Sequence, residues 1–313
     1  MTSLEGLPGP VQKRTIMPML NTRSHVCFAA TILIGILVYN SPIGDLGRVV
    51  FQNDTYSHIV LIPLVSAAFL IIRRETIFAS VRGKPAVGLG VCAGGLFLYG
   101  IAIILSEQLG RQTFRNQDAP NDYLTICMAA VVAWVIGSFI AVYGTQAFKK
   151  ARFALLFLMF SIPMPMFLQD GIITSLQYAT AEATDLVLQV SGVPYHRTGL
   201  VFEFSNITVE VAEQCSGIRS SLSFLIVSVL TGYLFLRTVS RRLILTFAVL
   251  PITVLKNALR IVTITLLANQ VDPRFLSDHW LHTSGGVPFF AVALTLFIPL
   301  VWMLRRSEFR LLA

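Results

Sequence analysis

The chain has 313 residues, of which 55% are hydrophobic and only 13% charged, and its mean hydropathy is +0.72. A soluble domain of this length needs a charged surface that so few charged residues cannot provide, so the composition indicates a polytopic membrane protein. The net charge of +8 does not indicate nucleic acid as a partner, because the basic residues occur in short clusters between apolar runs.

The first predicted element is an apolar run that follows several basic residues. No small-residue cleavage site comes after it, so we interpret it as a retained anchor preceded by a cytoplasmic tail, residues 1–24. We expect the whole chain, 1–313, to form a single integral-membrane domain. The fold class is an all-α polytopic membrane protein of about eight transmembrane helices. These are predicted at 25–40, 58–72, 86–105, 122–143, 153–168, 216–236, 243–268 and 287–304.

The distribution of Lys and Arg gives these spans an orientation. Sixteen of the 24 basic residues lie on one side, and the positive-inside rule makes that side, with both termini, cytoplasmic. The start of span six and the end of span seven then face outwards. The sixteen are Lys13, Arg14, Arg23, Arg73, Arg74, Arg82, Lys84, Lys149, Lys150, Arg152, Arg237, Arg241, Arg242, Arg305, Arg306 and Arg310.

The longest predicted stretch outside the spans is 169–215, an extracytoplasmic insert before span six. Its first part carries an apolar stripe at helical spacing with polar residues opposite, which predicts an amphipathic helix that ends at Gly192 and Pro194. Lacking the Lys and Arg of a headgroup-binding helix, it is expected to pack on other helices or to form a lid.

Two short β-rich runs complete this insert. Residues 199–204 and 207–211, joined by a turn at Ser205-Asn206, predict a β-hairpin that leads directly towards Cys215. Two interpretations stay open for this hairpin: a structural plug, or an edge strand that receives an extended peptide.

Cys215 is the candidate nucleophile, at the N-terminal end of span six. The positive end of a helix dipole favours a thiolate, and Arg219 follows one turn later on the same face. Ser216 beside it is small enough for a carbonyl to approach. A lone cysteine at a helix end is more often structural than catalytic, so the residues around Cys215 decide between these two roles. The other cysteines, expected to be core residues, are Cys27, Cys92 and Cys127.

Two further groups lie near the same predicted side of the membrane. Arg260 is an ionisable residue within span seven, close to its outer end, where it either has a function or extends to the headgroups. Asn257 is placed to orient it, whereas Lys256 is expected to face elsewhere. In the loop before span eight, the residues alone do not distinguish His279 from His282 as the general acid and base. No metal site, phosphate loop or cofactor is predicted.

Four segments together resemble the exosortase/archaeosortase family of polytopic membrane cysteine transpeptidase-like enzymes. They are VAEQCSGIRS around Cys215, NALRI around Arg260, HTSGG followed by VPFF, and NDTYSHIVLIPLVSAAFLIIRR around His58. The last favours the bacterial exosortase branch. The resemblance implies that Cys215 is the nucleophile, Arg260 the essential arginine and His282 the catalytic histidine. It gives His58 no firm role, and Gln214 departs from the small residue that is common in the family.

The family resemblance also implies a substrate and a location. Such enzymes act in the bacterial cytoplasmic (inner) membrane on exported proteins whose C-terminal sorting signal has a Pro-Glu-Pro motif, a membrane helix and a basic tail. They cut on the extracytoplasmic face and pass the new carboxyl terminus to an acceptor, which the sequence does not identify. Alternatives are an archaeosortase-type or purely hydrolytic processing peptidase and, from another class, a multi-pass transporter or scaffold.

Overall fold

The computed structural model describes residues 22–52, 56–79, 82–109, 122–212, 218–276 and 286–312. These residues are mostly helical, and three short strands lie between α7 and α8. A 3₁₀ turn, Leu158–Ser161, follows α6, and another, Pro273–Leu276, follows α9. The helices are α1 (Thr22–Val38), α2 (Asn40–Gln52), α3 (His58–Ile72), α4 (Arg74–Ile77), α5 (Pro85–Ile104), α6 (Asp122–Phe157), α7 (Met166–Ser191), α8 (Ile218–Phe235), α9 (Val239–Gln270) and α10 (Gly286–Leu312).

Four helical segments in the described chain are long and apolar enough to cross a membrane: α5, α6 with its 3₁₀ extension, α9, and Pro288–Glu308 of α10. A fifth is obtained if α1 and α2, which meet at 77°, form one broken span. Helices α3 and most of α8 are apolar but shorter. A multi-pass membrane protein is thus supported, whereas the predicted count of eight spans is not confirmed.

Large apolar side chains cover the outward surfaces of these helices. Leu37 on α1, Phe97 on α5 and Ile298 on α10 are 70%, 70% and 62% exposed. Surfaces of this kind are costly in water and favourable in hydrocarbon. They indicate the faces that contact lipid.

The described residues form two compact units. The first contains the described residues of the ranges 22–43, 62–104 and 127–159. Its helices approach closely through small residues: an added Cβ at Gly88 would lie 2.2 Å from the backbone nitrogen of Ala141. Such small-residue contacts are typical of packed membrane helices. Hydrogen bonds add to them, since Ser66 Oγ donates to the Ala154 carbonyl at 2.6 Å.

Helix α6 is interrupted at Gly144, whose φ of 88° and ψ of 169° are not helical. An added Cβ there would lie 1.8 Å from the carbonyl oxygen of Arg82, so only glycine fits this position. The interruption falls where the sequence predicts the fourth span to end. Residues 153–157, the first part of the predicted fifth span, lie in the helical segment of α6 that follows this interruption, and the 3₁₀ turn continues it to Ser161.

The second unit contains the described residues of the ranges 44–61, 105–126 and 160–312. The predicted amphipathic helix is present as α7, and it ends at Gly192 with a left-handed φ of 69°. Its buried face packs against α9. Helix α7 therefore packs on another helix, which is one of the two arrangements expected from the sequence.

The predicted hairpin is also present, as part of a larger sheet. Strands β2 (Val201–Glu203) and β3 (Thr208–Glu210) pair antiparallel, and the Phe204 amide donates to the Ile207 carbonyl across the predicted turn. A strand that the sequence analysis did not predict, β1 (His196–Thr198), pairs with the outer edge of β2. The order β1-β2-β3 leaves β3, the strand nearest Cys215 in sequence, at an edge.

Helices α8, α9 and α10 of the second unit pack around a buried cluster that includes Phe224, Leu245 and Phe297. The Ser228 hydroxyl of α8 donates to the Leu245 carbonyl of α9 at 3.1 Å.

The start of α9 is capped by a residue from α10. The buried Glu308 carboxylate accepts hydrogen bonds from the amides of Arg237 and Thr238 and from the Thr238 hydroxyl, at 2.6 to 3.0 Å, and lies 3.5 Å from Arg241. These two residues immediately precede Val239, the first residue of α9, so the carboxylate supplies acceptors at the helix start, where no preceding turn provides them.

Candidate functional site

The predicted site residues fall into two groups. Arg260 and Asn257 lie on α9, where Asn257 is buried and Arg260 half-buried. Arg219 lies on α8, but its side chain is outside the described part of the structure. Four more predicted residues lie outside the described residues altogether: Cys215, Ser216, His279 and His282.

The chain that leads towards Cys215 is held in place by the sheet and by α7. The Val211 amide donates to the Leu200 carbonyl at 2.9 Å, and the Val211 carbonyl accepts from Gln177 Nε2 of α7 at 3.0 Å. The Val211 side chain is fully buried, in one cluster with Ile261 and Val262 of α9. The described chain before residues 213–217 thus includes a residue that shares one buried cluster with Ile261, the position directly after Arg260.

The chain that follows Cys215 is held on the same helix. Ser220, in the first turn of α8, accepts a short hydrogen bond from the Nζ of Lys256 on α9. Lys256 is only 5% exposed and lies four residues before Arg260, hence on the same helical face. This contact differs from the expectation that Lys256 faces elsewhere.

The two contacts with α9 lie on either side of Arg260 along the helix. Lys256 and Ile261 are five residues apart, which corresponds to about 7.5 Å of helical rise. The described residues on either side of segment 213–217 therefore contact the short part of α9 that carries Asn257 and Arg260. No periodicity in the sequence indicates this arrangement, because both contacts join residues more than 30 positions apart.

The start of α10 lies at the same end of the second unit. Glu308 near the end of α10 caps the residues after α8, whereas Phe290 in the second turn of α10 contacts the Phe224 ring of α8, with centroids 5.8 Å apart. Helices α8 and α10 are therefore parallel, and their first turns lie together. Residues 277–285, which include His279 and His282, directly precede this first turn in the sequence.

The segment Tyr56-Ser57-His58 lies in the second unit as well. Tyr56 is buried, and its hydroxyl donates to Gln169 Oε1 in the first turn of α7 at 2.8 Å. Burial raises the pKa of Tyr56 to about 12, so the hydroxyl stays protonated and keeps donating at neutral pH. The ring centroid of His58 lies 6.5 Å from that of Tyr56, and this contact is compatible with a packing role for His58.

A polar group joins α7 to β1 beside the sheet. Arg197 donates to Glu182 at 2.6 Å, and its guanidinium lies 3.6 Å from Asp185. The hydrogen bond and charge of Arg197 lower the pKa of Glu182 below its ordinary 4.5. Tyr195 donates to Asp185 at 2.7 Å. The group fixes β1 to α7 and, through the sheet, positions Val211.

Other candidate ligands in the described residues are scattered. No group of three His, Cys, Asp or Glu side chains in the described ranges is placed to hold a metal ion. Cys92 and Cys127 are buried as predicted, but Cys27 is exposed on α1 and is not a core residue. Cys27 therefore provides an accessible thiol outside the candidate site.

The family model described as "Transmembrane exosortase (Exosortase_EpsH)" matches residues 50–299, four fifths of the chain. The chain belongs to the transmembrane exosortase family. Exosortases are membrane enzymes of protein sorting, generally cysteine peptidases or transpeptidases that act on exported proteins with sorting signals. No significant match was found among curated proteins or among solved structures.

The structure adds two residues of this exosortase that sequence reasoning did not place near the site, Lys256 and Ser220. The available signal was the four-residue spacing between Lys256 and Arg260, which puts both cations on one face of α9. A buried cation in an apolar span is expensive unless it is bonded, so Lys256 requires a partner from a neighbouring helix. The sequence does not show that this partner is Ser220, because the choice of partner depends on the tertiary fold.

Proposed function

We propose that this exosortase-family chain is a membrane cysteine transpeptidase that removes C-terminal sorting signals from exported proteins on the extracytoplasmic face. Cys215 is its nucleophile, Arg260 stabilises the oxyanion, and His282 is the acid and base. The substrates are proteins with a Pro-Glu-Pro-type motif, a membrane helix and a basic tail. The enzyme is placed in the bacterial inner membrane, with both termini cytoplasmic.

The proposed reaction proceeds in two halves. The Cys215 thiolate attacks the scissile carbonyl carbon, and the negative charge formed on the carbonyl oxygen is stabilised by Arg260. The carbon–nitrogen bond breaks, the leaving amine takes a proton from His282, and a thioester remains on Cys215. An acceptor amine, deprotonated by His282, then attacks the thioester and releases the thiolate. With water in place of the amine, the outcome is hydrolysis.

One observation supports this assignment most directly. The residues before and after segment 213–217 are attached to α9 on either side of Arg260, through Val211 and through Ser220. A nucleophile and an oxyanion-stabilising cation from distant parts of a chain need such a constraint to act on one carbonyl. Buried Asn257, three residues before Arg260, adds a polar group to the same part of α9.

The test is co-expression of the full chain with an exported reporter that ends in a Pro-Glu-Pro motif, an apolar helix and a tagged basic tail. Loss of the tag and the mass of the new reporter terminus are measured. We expect Cys215→Ala to abolish tail removal, and Cys27→Ala, which removes the exposed thiol of α1, to leave it unchanged. Arg260→Lys keeps the charge but loses the planar donor group, and should slow processing about 100-fold.

The same assay distinguishes the alternatives. His282→Ala is expected to abolish processing, and His279→Ala to permit it. A reporter terminus that carries an added acceptor indicates transfer, whereas a free carboxylate indicates a processing peptidase. Normal tail removal by Cys215→Ala, at equal membrane abundance, would refute the catalytic proposal and favour the transporter or scaffold alternative.

A further inference from the structure

A cavity of about 260 Å³ opens in the first unit, remote in sequence from the residues of the proposed active site. Most of its wall is apolar, and aromatic rings form a large part of it. Three polar groups face this wall: the His25 ring, the Tyr143 hydroxyl and the Arg74 guanidinium. The aromatic rings belong to Phe28, Phe78, Phe139 and Tyr143.

Two of these polar groups, the His25 ring and the Arg74 guanidinium, are still able to bind a ligand. Nδ1 of His25 lies 2.8 Å from the Tyr143 hydroxyl, and the His25 and Phe78 rings pack edge-to-face with centroids 5.2 Å apart. The imidazole is thereby fixed, and its Nε2 has no hydrogen-bond partner among the described residues. Arg74 is exposed, and its guanidinium forms no ion pair with any carboxylate in the described ranges.

The cavity lies where the apolar part of the first unit ends. Arg74 lies two residues after Ile72, the last residue of α3, and His25 is in the first turn of α1. Basic residues predominate in this part of the chain: the described ranges 22–25, 70–79 and 82–85 contain five of them against the single carboxylate of Glu75. The site therefore attracts an anion.

The apolar wall continues onto a face of α3 that no other described helix covers. Ile71, which lines the cavity, is 63% exposed, and Leu64, two turns earlier, is 62% exposed. A ligand that enters the cavity can thus extend along α3 into hydrocarbon. A small soluble anion would use only the polar rim and would leave the aromatic wall unoccupied.

We propose that this cavity binds an anionic phospholipid. The phosphate contacts Arg74 and His25, and the adjoining part of an acyl chain lies between the aromatic rings and continues along α3. The volume equals about nine water molecules at ~30 Å³ each, so the cavity holds part of a lipid and not the whole molecule. Basic pockets between membrane helices commonly bind anionic headgroups. The proposal does not depend on the catalytic assignment.

The test uses the full chain purified in dodecyl maltoside, with bound lipid measured by native mass spectrometry after addition of phosphatidylglycerol or phosphatidylcholine. We expect phosphatidylglycerol to bind more tightly to the wild type. Arg74→Gln should reduce its affinity about five-fold, the effect of one basic residue near an anionic lipid. The matched control is Arg82→Gln, an exposed arginine of the same basic region that does not line the cavity.

Thermal unfolding in detergent supplies the second measurement. Arg74→Gln and the wild type should unfold at the same temperature without lipid, and phosphatidylglycerol should raise that temperature less for the variant. Equal affinity of both lipids for the wild type would overturn the proposal, as would equal losses from Arg74→Gln and Arg82→Gln. Stabilisation by inorganic phosphate alone to the same extent would also overturn it, by indicating a site for a soluble anion.

Discussion

The bond between Lys256 and Ser220 joins the first turn of α8 to α9 within the apolar part of the second unit, and its removal gives the most direct test of this part of the fold. The single change Ser220→Ala deletes the hydroxyl that accepts from the buried ammonium. The double change Ser220→Ala with Lys256→Met also replaces the ammonium by an apolar group of similar length. Comparing the stabilities of the single and double variants separates the contribution of the hydrogen bond from the cost of an unpaired buried charge.

The expected magnitude follows from the groups involved. A hydrogen bond between neutral side chains of two membrane helices contributes about 0.6 kcal/mol on average and about 1.7 at most. A charged donor roughly doubles this value. Ser220→Ala should therefore lower the free energy of unfolding by about 1–3 kcal/mol. The double variant should recover most of the loss, because no buried ammonium is left without this acceptor.

Reversible unfolding in detergent micelles measures both differences. Ser228→Ala is the matched control, because Ser228 joins the same two helices through a neutral bond to the Leu245 carbonyl. Its loss should cost less than Ser220→Ala. The reasoning fails if Ser220→Ala and Ser228→Ala are equally mild, or if the double variant is less stable than Ser220→Ala alone.

Two further predictions concern Gly144 and Glu182. Gly144→Ala should destabilise the chain by at least about 3 kcal/mol in the same unfolding assay, since its Cβ would overlap the Arg82 carbonyl at a positive φ; Gly94→Ala, whose Cβ meets nothing within 4 Å, should be harmless. The stabilisation from the Glu182–Arg197 pair is present above the ordinary pKa of a glutamate and is lost as the pH falls through the lowered native pKa. A ¹³C NMR titration of the glutamate carboxyls, assigned with Glu182→Gln, should show the Glu182 midpoint rising in Arg197→Ala; an unchanged midpoint would contradict the pairing.

Local patterns in the sequence account for the elements that were predicted correctly. The apolar stripe of α7 and its termination at Gly192 are properties of neighbouring residues, as is the turn between β2 and β3. Each is determined by backbone preferences and periodicity within a few positions. The same reasoning located the apolar runs of α5 and α9.

The features that were missed have other physical origins. Strand β1 consists of His196, Arg197 and Thr198, which lack apolar alternation, and it is defined by its pairing with β2 and by the bonds of Arg197 to α7. Helix α2 contains glycine and proline, which have low helix propensity, so tertiary packing and not local preference explains its presence.

The candidate site likewise contains residues that the sequence indicated and contacts that it did not. The sequence indicated Arg260 and Asn257 because polar residues in an apolar span require an explanation. It did not indicate that Lys256 bonds to Ser220, because the choice of partner depends on how α8 and α9 pack.

The capping of α9 by Glu308 also has a consequence for how the chain is made. The amides of Arg237 and Thr238 are synthesised about seventy residues before the carboxylate that accepts their hydrogen bonds. During translation the start of α9 is therefore made before its acceptor, and it obtains this carboxylate only after α10 has followed. Until then α8 and α9 lack their closing contact, so the helix bundle that carries Arg260 is completed only once Glu308 has been synthesised.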